Sequence, residues 1–267
     1  MTLAETVPDR SLAPEGEGAS PYTIRAVDRT LDILDCLQMS AAGVSLGELS
    51  RVIGLPKSSS FRYLATLEAR GYVARDDGDT YRLGHAWRAM RARDVALLTA
   101  VARPRLEELC RRFEETMNLA VLDGTRVAYL DMIESSHAVR FAARPGHVDF
   151  IHSSALGKAL ASRLAIDELR RIFELEGMPA VTSRTITDFR RYLAEIDAVR
   201  RRGYSVNDLE NDNVGRCVAV VLPGRLVAAV GLSAPAARFP VERAGEAGAA
   251  LKRAADDIAA EVARVGA

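Results

Sequence analysis

The residues with the most to offer chemically lie between Lys57 and Thr66. Lys57, Ser58, Ser59, Ser60, Arg62, Tyr63 and Thr66 bring cations, short hydroxyls and a phenol, and no acid intervenes before Glu68. Short hydroxyls and long cations at the start of a helix suit phosphate oxygens and the base edges of a major groove. The same set also suits the solvated face of an ordinary amphipathic helix, since helix-turn-helix geometry occurs in many helical proteins. The neighbouring elements bear on which it is.

Residues 45–71 read as two short helices joined by a tight turn. Ser45 and Glu48 have the spacing of a capping box, in which each side chain satisfies an open N–H of the first turn. Ser45 is also a candidate DNA contact. Leu46, Leu49, Val52 and Ile53 make one apolar face, Gly54 can adopt the left-handed conformation that ends a helix, and Pro56 suits the first turn of the next. In that second helix Phe61, Leu64 and Leu67 are expected to point inward. Residues 72–75 and 80–83 then read as a hairpin across Asp77-Gly78, a favoured two-residue turn because both positions tolerate positive φ. A helix-turn-helix followed by a hairpin is a winged helix. Arg75 and Arg82 on its strands are within reach of backbone phosphates, while the acidic tip speaks against groove insertion by the tip itself.

The chain has 267 residues, enough for two domains, and 48 % are apolar, as in globular proteins. Lys+Arg and Asp+Glu are 36 each, so a DNA-binding role must rest on local patches rather than bulk charge. One such patch is Arg88, Arg91, Arg93, Arg103 and Arg105, set against Asp94. No apolar run approaches a membrane span and the N-terminus lacks a signal-peptide layout, so a cytoplasmic location is expected. Cys36, Cys110 and Cys217 are far apart and odd in number, which indicates neither a disulfide framework nor a metal pair.

In chain order, residues 1–21 read as a disordered tail. Residues 24–38 form a first helix with Ile24, Val27, Leu31, Leu34 and Leu37 as its apolar stripe, broken by Ala41-Ala42-Gly43. The winged helix-turn-helix spans residues 22–84. Residues 85–98 are a linker helix, with Pro104 interrupting the helical pattern beyond it. Trp87, Val95, Leu98 and Val101 are too apolar for a free linker and imply packing on a partner domain or a dimer seam. Residues 99–267 alternate strand and helix signals: a hairpin over 119–133, a strand over 139–143, an Arg144-Pro145-Gly146 loop, helices from about 154, 167 and 187, strands over 205–208, 217–222 and 226–232, and a terminal helix over 241–265. The order argues for an α+β domain with an antiparallel sheet.

Enzyme motifs are missing from the sequence. Gly157-Lys158 is not a phosphate loop, because His152 stands where the upstream glycine belongs and Ala159 follows the lysine. There is no HExxH, GxSxG or GxGxxG, and the four histidines lack ligand spacing. No cofactor and no metal is expected. The helix start at Ser154-Ala155-Leu156-Gly157 offers N–H groups and a positive dipole end to an anion, or alternatively plain helix–sheet packing with Gly157 allowing close approach.

Several separated motifs resemble the IclR family of transcriptional regulators: RAVDRTLDILDCL, LSRVIGLPKSSSFRYL followed by GYV, HSSALGKALA, RGYSVNDLE, RCVAVVL and VAAVGLSAP. The likeness runs from about Tyr22 to the C-terminus. It implies a winged helix-turn-helix, a linker helix that helps dimerisation, and a GAF/PAS-like effector-binding domain, assembled as a homodimer or a tetramer built as a dimer of dimers. It implies a small organic acid held by Ala155, Leu156, Asn207, Cys217, Gly231 and Ser233. The family often has Asp at position 207 and Ser at position 231, and Val214-Gly215 stands where Gly-apolar is common. These departures remove polar character and point to a larger or less polar ligand, such as an aromatic acid. The expected function is a ligand-responsive transcription factor, more often a repressor in this family, that binds double-stranded operator DNA and is not an enzyme. The alternative is a metabolic enzyme with an accessory winged-helix interaction module.

Overall fold

The structure, a computed structural model, describes residues 22–266 except 39, 41, 42, 77, 143–145 and 225, and leaves out the side chains of Arg88 and Arg91. The expected tail, the Ala41-Ala42 break, the Asp77 half of the hairpin turn, the Arg144-Pro145 loop and part of the arginine patch lie outside the described residues. The chain divides into two compact units, up to Arg93 and from Asp94 on.

The first unit contains α1 (Arg25–Gln38), β1 (Val44–Ser45), α2 (Leu46–Val52), α3 (Lys57–Ala69), β2 (Val73–Arg75), β3 (Thr80–Leu83) and the start of α4 (His85–Phe113). Local chemistry sets most of these boundaries. Ser45 Oγ accepts from the Glu48 amide at 3.3 Å and Glu48 Oε2 accepts from the Ser45 amide at 3.0 Å, the reciprocal cap expected for α2. Gly54 has φ +64°, and the Leu55 amide donates back to Ser50 O at 3.0 Å, closing the helix in a Schellman turn. Ile33, Leu37, Leu49, Leu64 and Tyr81 are buried together under the three-stranded sheet, whose order is β1-β3-β2.

Three expectations for this unit need correction. In α3 the buried positions are Ser60, Leu64 and Leu67, and Phe61 is 47 % exposed. Leu64 and Leu67 fix the helical phase, and at about 100° per residue Ser60 falls between them while Phe61 lies to one side. In α1, Ile33, Leu34, Cys36 and Leu37 are buried, but Ile24, Val27 and Leu31 are exposed. The wing turn is longer than two residues: the Asp76 amide donates to Thr80 O at 2.9 Å, and Asp79, not Gly78, carries the positive φ, 59°. That is the three-residue hairpin loop, with the left-handed residue last.

The second unit is built on a six-stranded antiparallel sheet of order β6-β5-β4-β9-β8-β7, from β4 (Thr116–Asp123), β5 (Arg126–Ile133), β6 (Val148–Phe150), β7 (Ser205–Asp208), β8 (Gly215–Val221) and β9 (Ala228–Pro235). Period-two alternation gives its faces different characters. Met117, Leu119, Val218, Val220, Val230 and Leu232 pack on the C-terminal half of α4 and on α8 (Ala244–Val265). On the other face Ala120, Ala219 and Ala229 meet α5 (Ala155–Ala161), and the small side chains let that helix lie close. α6 (Ile166–Glu176) and α7 (Phe189–Arg202) follow α5 in sequence.

Here too the structure departs from expectation. Residues 139–142 form no strand; the Phe141 carbonyl accepts from Thr116 Oγ1 at 2.7 Å and Val139 O from Arg238, so side chains take the place of a ladder, and β6 is the third strand. Pro104 does not interrupt α4, because it sits on the helix's exposed side where water can satisfy the freed carbonyl. Of the two readings for the apolar residues of α4, packing on a domain is the one seen: Trp87 packs on the winged-helix core, while Leu98 is 4 % exposed in the second unit's core with Val101 against it. Among the described residues no helix is long and apolar enough to cross a membrane.

Candidate nucleic-acid interface and ligand cavity

Pro56 occupies the N-cap of α3 and brings no side-chain acceptor. Its carbonyl accepts from the Ser59 and Ser60 amides, each at 3.0 Å, which leaves the Lys57 and Ser58 amides open at the positive end of the helix. Lys57 and Ser58 are exposed at that end, and Arg62 and Thr66 are exposed further along the helix. Lys57 and Arg62 make no side-chain hydrogen bond or ion pair to any described residue. An anion at this helix start would meet two amides, a hydroxyl and an ammonium.

Other expected contacts are committed elsewhere. Ser60 is fully buried, its hydroxyl unpaired, and cannot reach DNA. Ser45 donates its hydroxyl proton to Glu48 at 2.7 Å, and these bonds hold the Glu48 carboxyl below the usual range. Thr66 donates to Arg62 O at 2.8 Å, Tyr63 packs half-buried on the core, and Ser59 is half-buried. On the wing, Arg75 pairs with Asp79 at 2.5 Å and Arg82 with Asp76 at 3.2 Å, so the acidic tip neutralises both cations. Arg103 of the expected patch is likewise held by Asp131, at 2.9 Å. Exposed Arg51 and Arg70 flank α3 with no sequence pattern to mark them.

In the second unit Ala155, Leu156, Asn207, Cys217, Gly231 and Ser233 do come together, around a cavity of about 20 Å³ that Tyr129, Ser154 and Asn211 complete. Strand register explains the grouping: Asn207, Cys217, Ser233 and Thr116 stand directly opposite one another across β7, β8, β9 and β4. Gly157 does not line the cavity. A Cβ there would lie 2.4 Å from Ile151 O, so its role is close packing, and its amide is already taken by the Ser154 hydroxyl at 3.0 Å. Leu156 lies over Gly231, with Cδ2 3.2 Å from where a Cβ would stand. A larger cavity of about 230 Å³ lies at the C-terminal ends of α5 and α7. Arg200 there is spent on Ser162 O, Leu164 O and Asp197, so the smaller cavity is the better-organised site.

Burial pushes the Cys217 thiol up to about 11, with Ser233 and Asn207 pulling the other way. Asn207 Oδ1 accepts from the Glu210 amide at 2.7 Å and the Asn211 amide at 3.3 Å. Sequence reasoning missed what surrounds these residues. Tyr129 donates to Asp149 at 2.8 Å, and Asn211 bridges Asp149 and Ser153. Behind α5, Lys158 is 1 % exposed and paired with Glu210 at 2.6 Å; burial raises the Glu210 carboxyl while Lys158 opposes the rise. His152 is buried edge-on to Phe150 and Phe173, its Nε2 3.0 Å from Pro179 O, and burial lowers its pKa. No hydrogen bond joins it to Cys217.

Residues 26–77 match the IclR helix-turn-helix domain, and residues 90–260 match the bacterial transcriptional regulator IclR C-terminal domain. The chain belongs to the IclR family of transcriptional regulators. The HTH-type transcriptional repressor AllR of Escherichia coli (strain K12) is 30% identical over 256 residues, 91% of this chain and 92% of its own. A putative transcriptional regulator from Rhodococcus sp. RHA1 superposes with a TM-score of 0.61 at 29% identity, covering 92% of this chain and all of that one (100%). An IclR homolog from Microbacterium hydrocarbonoxydans, complexed with 4-hydroxybenzoate, shares the fold at 23% identity, with a TM-score of 0.59 over 90% of this chain and 99% of that one. As an IclR-family regulator the chain carries a DNA-binding helix-turn-helix and a C-terminal effector domain.

Proposed function

We propose that this chain is a cytoplasmic, non-enzymatic repressor whose α3 binds operator DNA and whose small cavity takes an organic acid. The observation that carries the DNA half is the exposed, unpaired start of α3: open Lys57 and Ser58 amides beside the Lys57 and Arg62 cations. Phosphate binding there sets the register, and Arg62 is placed to read a base. The effector half rests on the convergence of residues from α5, β7, β8 and β9 on one small space with a mixed polar and apolar lining.

At about 20 Å³ that space holds about one water molecule. An acid enters only as the walls part, and Leu156, seated over Gly231, is the side chain that must yield. The 4-hydroxybenzoate carried by the Microbacterium homolog supports an organic acid as the ligand. The raised Cys217 pKa and the lack of a hydrogen bond from His152 speak against Cys217 as an enzyme's nucleophile. Two copies bind together, through the exposed Ile24, Val27 and Leu31 face of α1, to match paired half-sites. The test is a gel-shift titration of the full chain on DNA from its own upstream region, with and without small acids. Binding that weakens as an acid is added supports the reading; no preference over random duplex overturns it.

A further inference from the structure

Asn118 was not among the residues expected at the site and does not itself line the cavity, but it is hydrogen-bonded to Ser233 and paired with Gly231, which do. It is 1 % exposed on β4, directly opposite Gly231 of β9 and two positions along the strand from Thr116, which pairs with Ser233. Its Nδ2 donates to Ser233 Oγ at 3.0 Å, and its Oδ1 has no partner. With Ser233 Oγ accepting from the Asn118 amide, the Ser233 proton is free to turn toward Cys217, its partner across the β8–β9 ladder.

Much of the remaining polar wall is already bonded within the protein. Asn207 Oδ1 takes two amides, and Ser154 both caps α5 and donates to Phe150 O. Asn211 and Tyr129 both bond Asp149. Among the described residues Asn118 Oδ1 is thus a buried side-chain acceptor without a partner, bonded through its own amide group to the cavity wall. Buried acceptors are almost always paired, and one left open beside a ligand space is where a ligand's donor gains most. Gly231 has no side chain to supply that donor from across the ladder, where neighbouring Cβ atoms stand only about 5 Å apart.

We propose that Asn118 determines effector specificity by accepting a hydrogen bond from a hydroxyl of the ligand, so that the effector is a small hydroxylated acid rather than its deoxy counterpart. This rests on reading the cavity as the effector site. A site built around a hydroxyl rejects the analogue lacking it, because the buried partner is then left unpaired.

The experiment is calorimetric titration of the full chain with acids paired by one hydroxyl: 4-hydroxybenzoate against benzoate, lactate against propionate, glycolate against acetate. In the wild type the hydroxylated member of the preferred pair binds at least about tenfold tighter, the ratio of one well-made hydrogen bond. Asn118→Leu, close in volume and without the open acceptor, brings the ratio below about threefold by weakening the hydroxylated acid, with an unfolding midpoint no lower than wild type. Equal affinities within every wild-type pair overturn the proposal and leave the effector site standing, as does a preference that survives Asn118→Leu. If no acid binds and none releases DNA, the effector reading fails and takes this inference with it. The wild-type comparison decides without any variant.

Discussion

Arg62 and Ser60 stand two positions apart on α3 and face opposite ways, one exposed and unpaired, the other buried with an unpaired hydroxyl. Arg62→Ala is expected to cost about 1–3 kcal/mol of operator affinity and to relax one base position if Arg62 reads a base. Ser60→Ala should leave operator affinity unchanged and the unfolding midpoint equal or higher, because it removes a buried polar group that nothing satisfies. Anisotropy titrations and thermal melts check both, and a Ser60→Ala variant that loses DNA would overturn the phase assigned to α3. At this scale the sequence shows residue type and spacing but not which hydroxyls the backbone consumes. Ser45 and Thr66 looked available and are spent on a cap and on the Arg62 carbonyl. Asn118 was illegible for the converse reason, since an unpaired acceptor exists only once its neighbours have chosen their partners.

Elements with local punctuation were the legible ones. The cap at Ser45–Glu48, Gly54 and the hairpin residues define the winged helix within a few positions of chain. Ser45→Ala should destabilise the first unit by about 1 kcal/mol at neutral pH. Glu48 is held below the ordinary Glu range, so its contribution is present above that range and is lost as pH falls through the folded value. The wild-type advantage over Ser45→Ala should therefore shrink in acid, as urea midpoints measured across pH would show. Contacts between distant segments were not legible. Lys158 and Glu210 are 52 residues apart, and their pair ties α5 to the loop that Asn207 caps. Lys158→Met should cost about 3–5 kcal/mol by stranding the Glu210 carboxylate, and adding Glu210→Leu should recover much of that loss. Chemical denaturation of the two variants tests this. A single variant as stable as wild type would show that the pair is solvated.

At the scale of the whole molecule the charges cancel, 36 against 36, so DNA affinity depends on where cations are free rather than on how many there are. The wing arginines answer to the acidic tip, which leaves Lys57 and Arg62 as the principal cations of the recognition helix. Each phosphate neutralised adds about 0.9 to the logarithmic salt slope of binding to duplex DNA, so two per copy give about 2 for a monomer and about 4 for a dimer. The exposed Ile24, Val27 and Leu31 face of α1 is the surface proposed to join the copies. Replacing Val27 and Leu31 by Asp together places carboxylates where an apolar contact is proposed, while both positions are already solvated in the single chain, so folding should survive. Light scattering should then show the variant at half the wild-type mass, with the salt slope halved. A variant that keeps its mass and its slope would move the interface off α1. One that keeps its mass and loses its slope would place Val27 and Leu31 at the DNA rather than between copies.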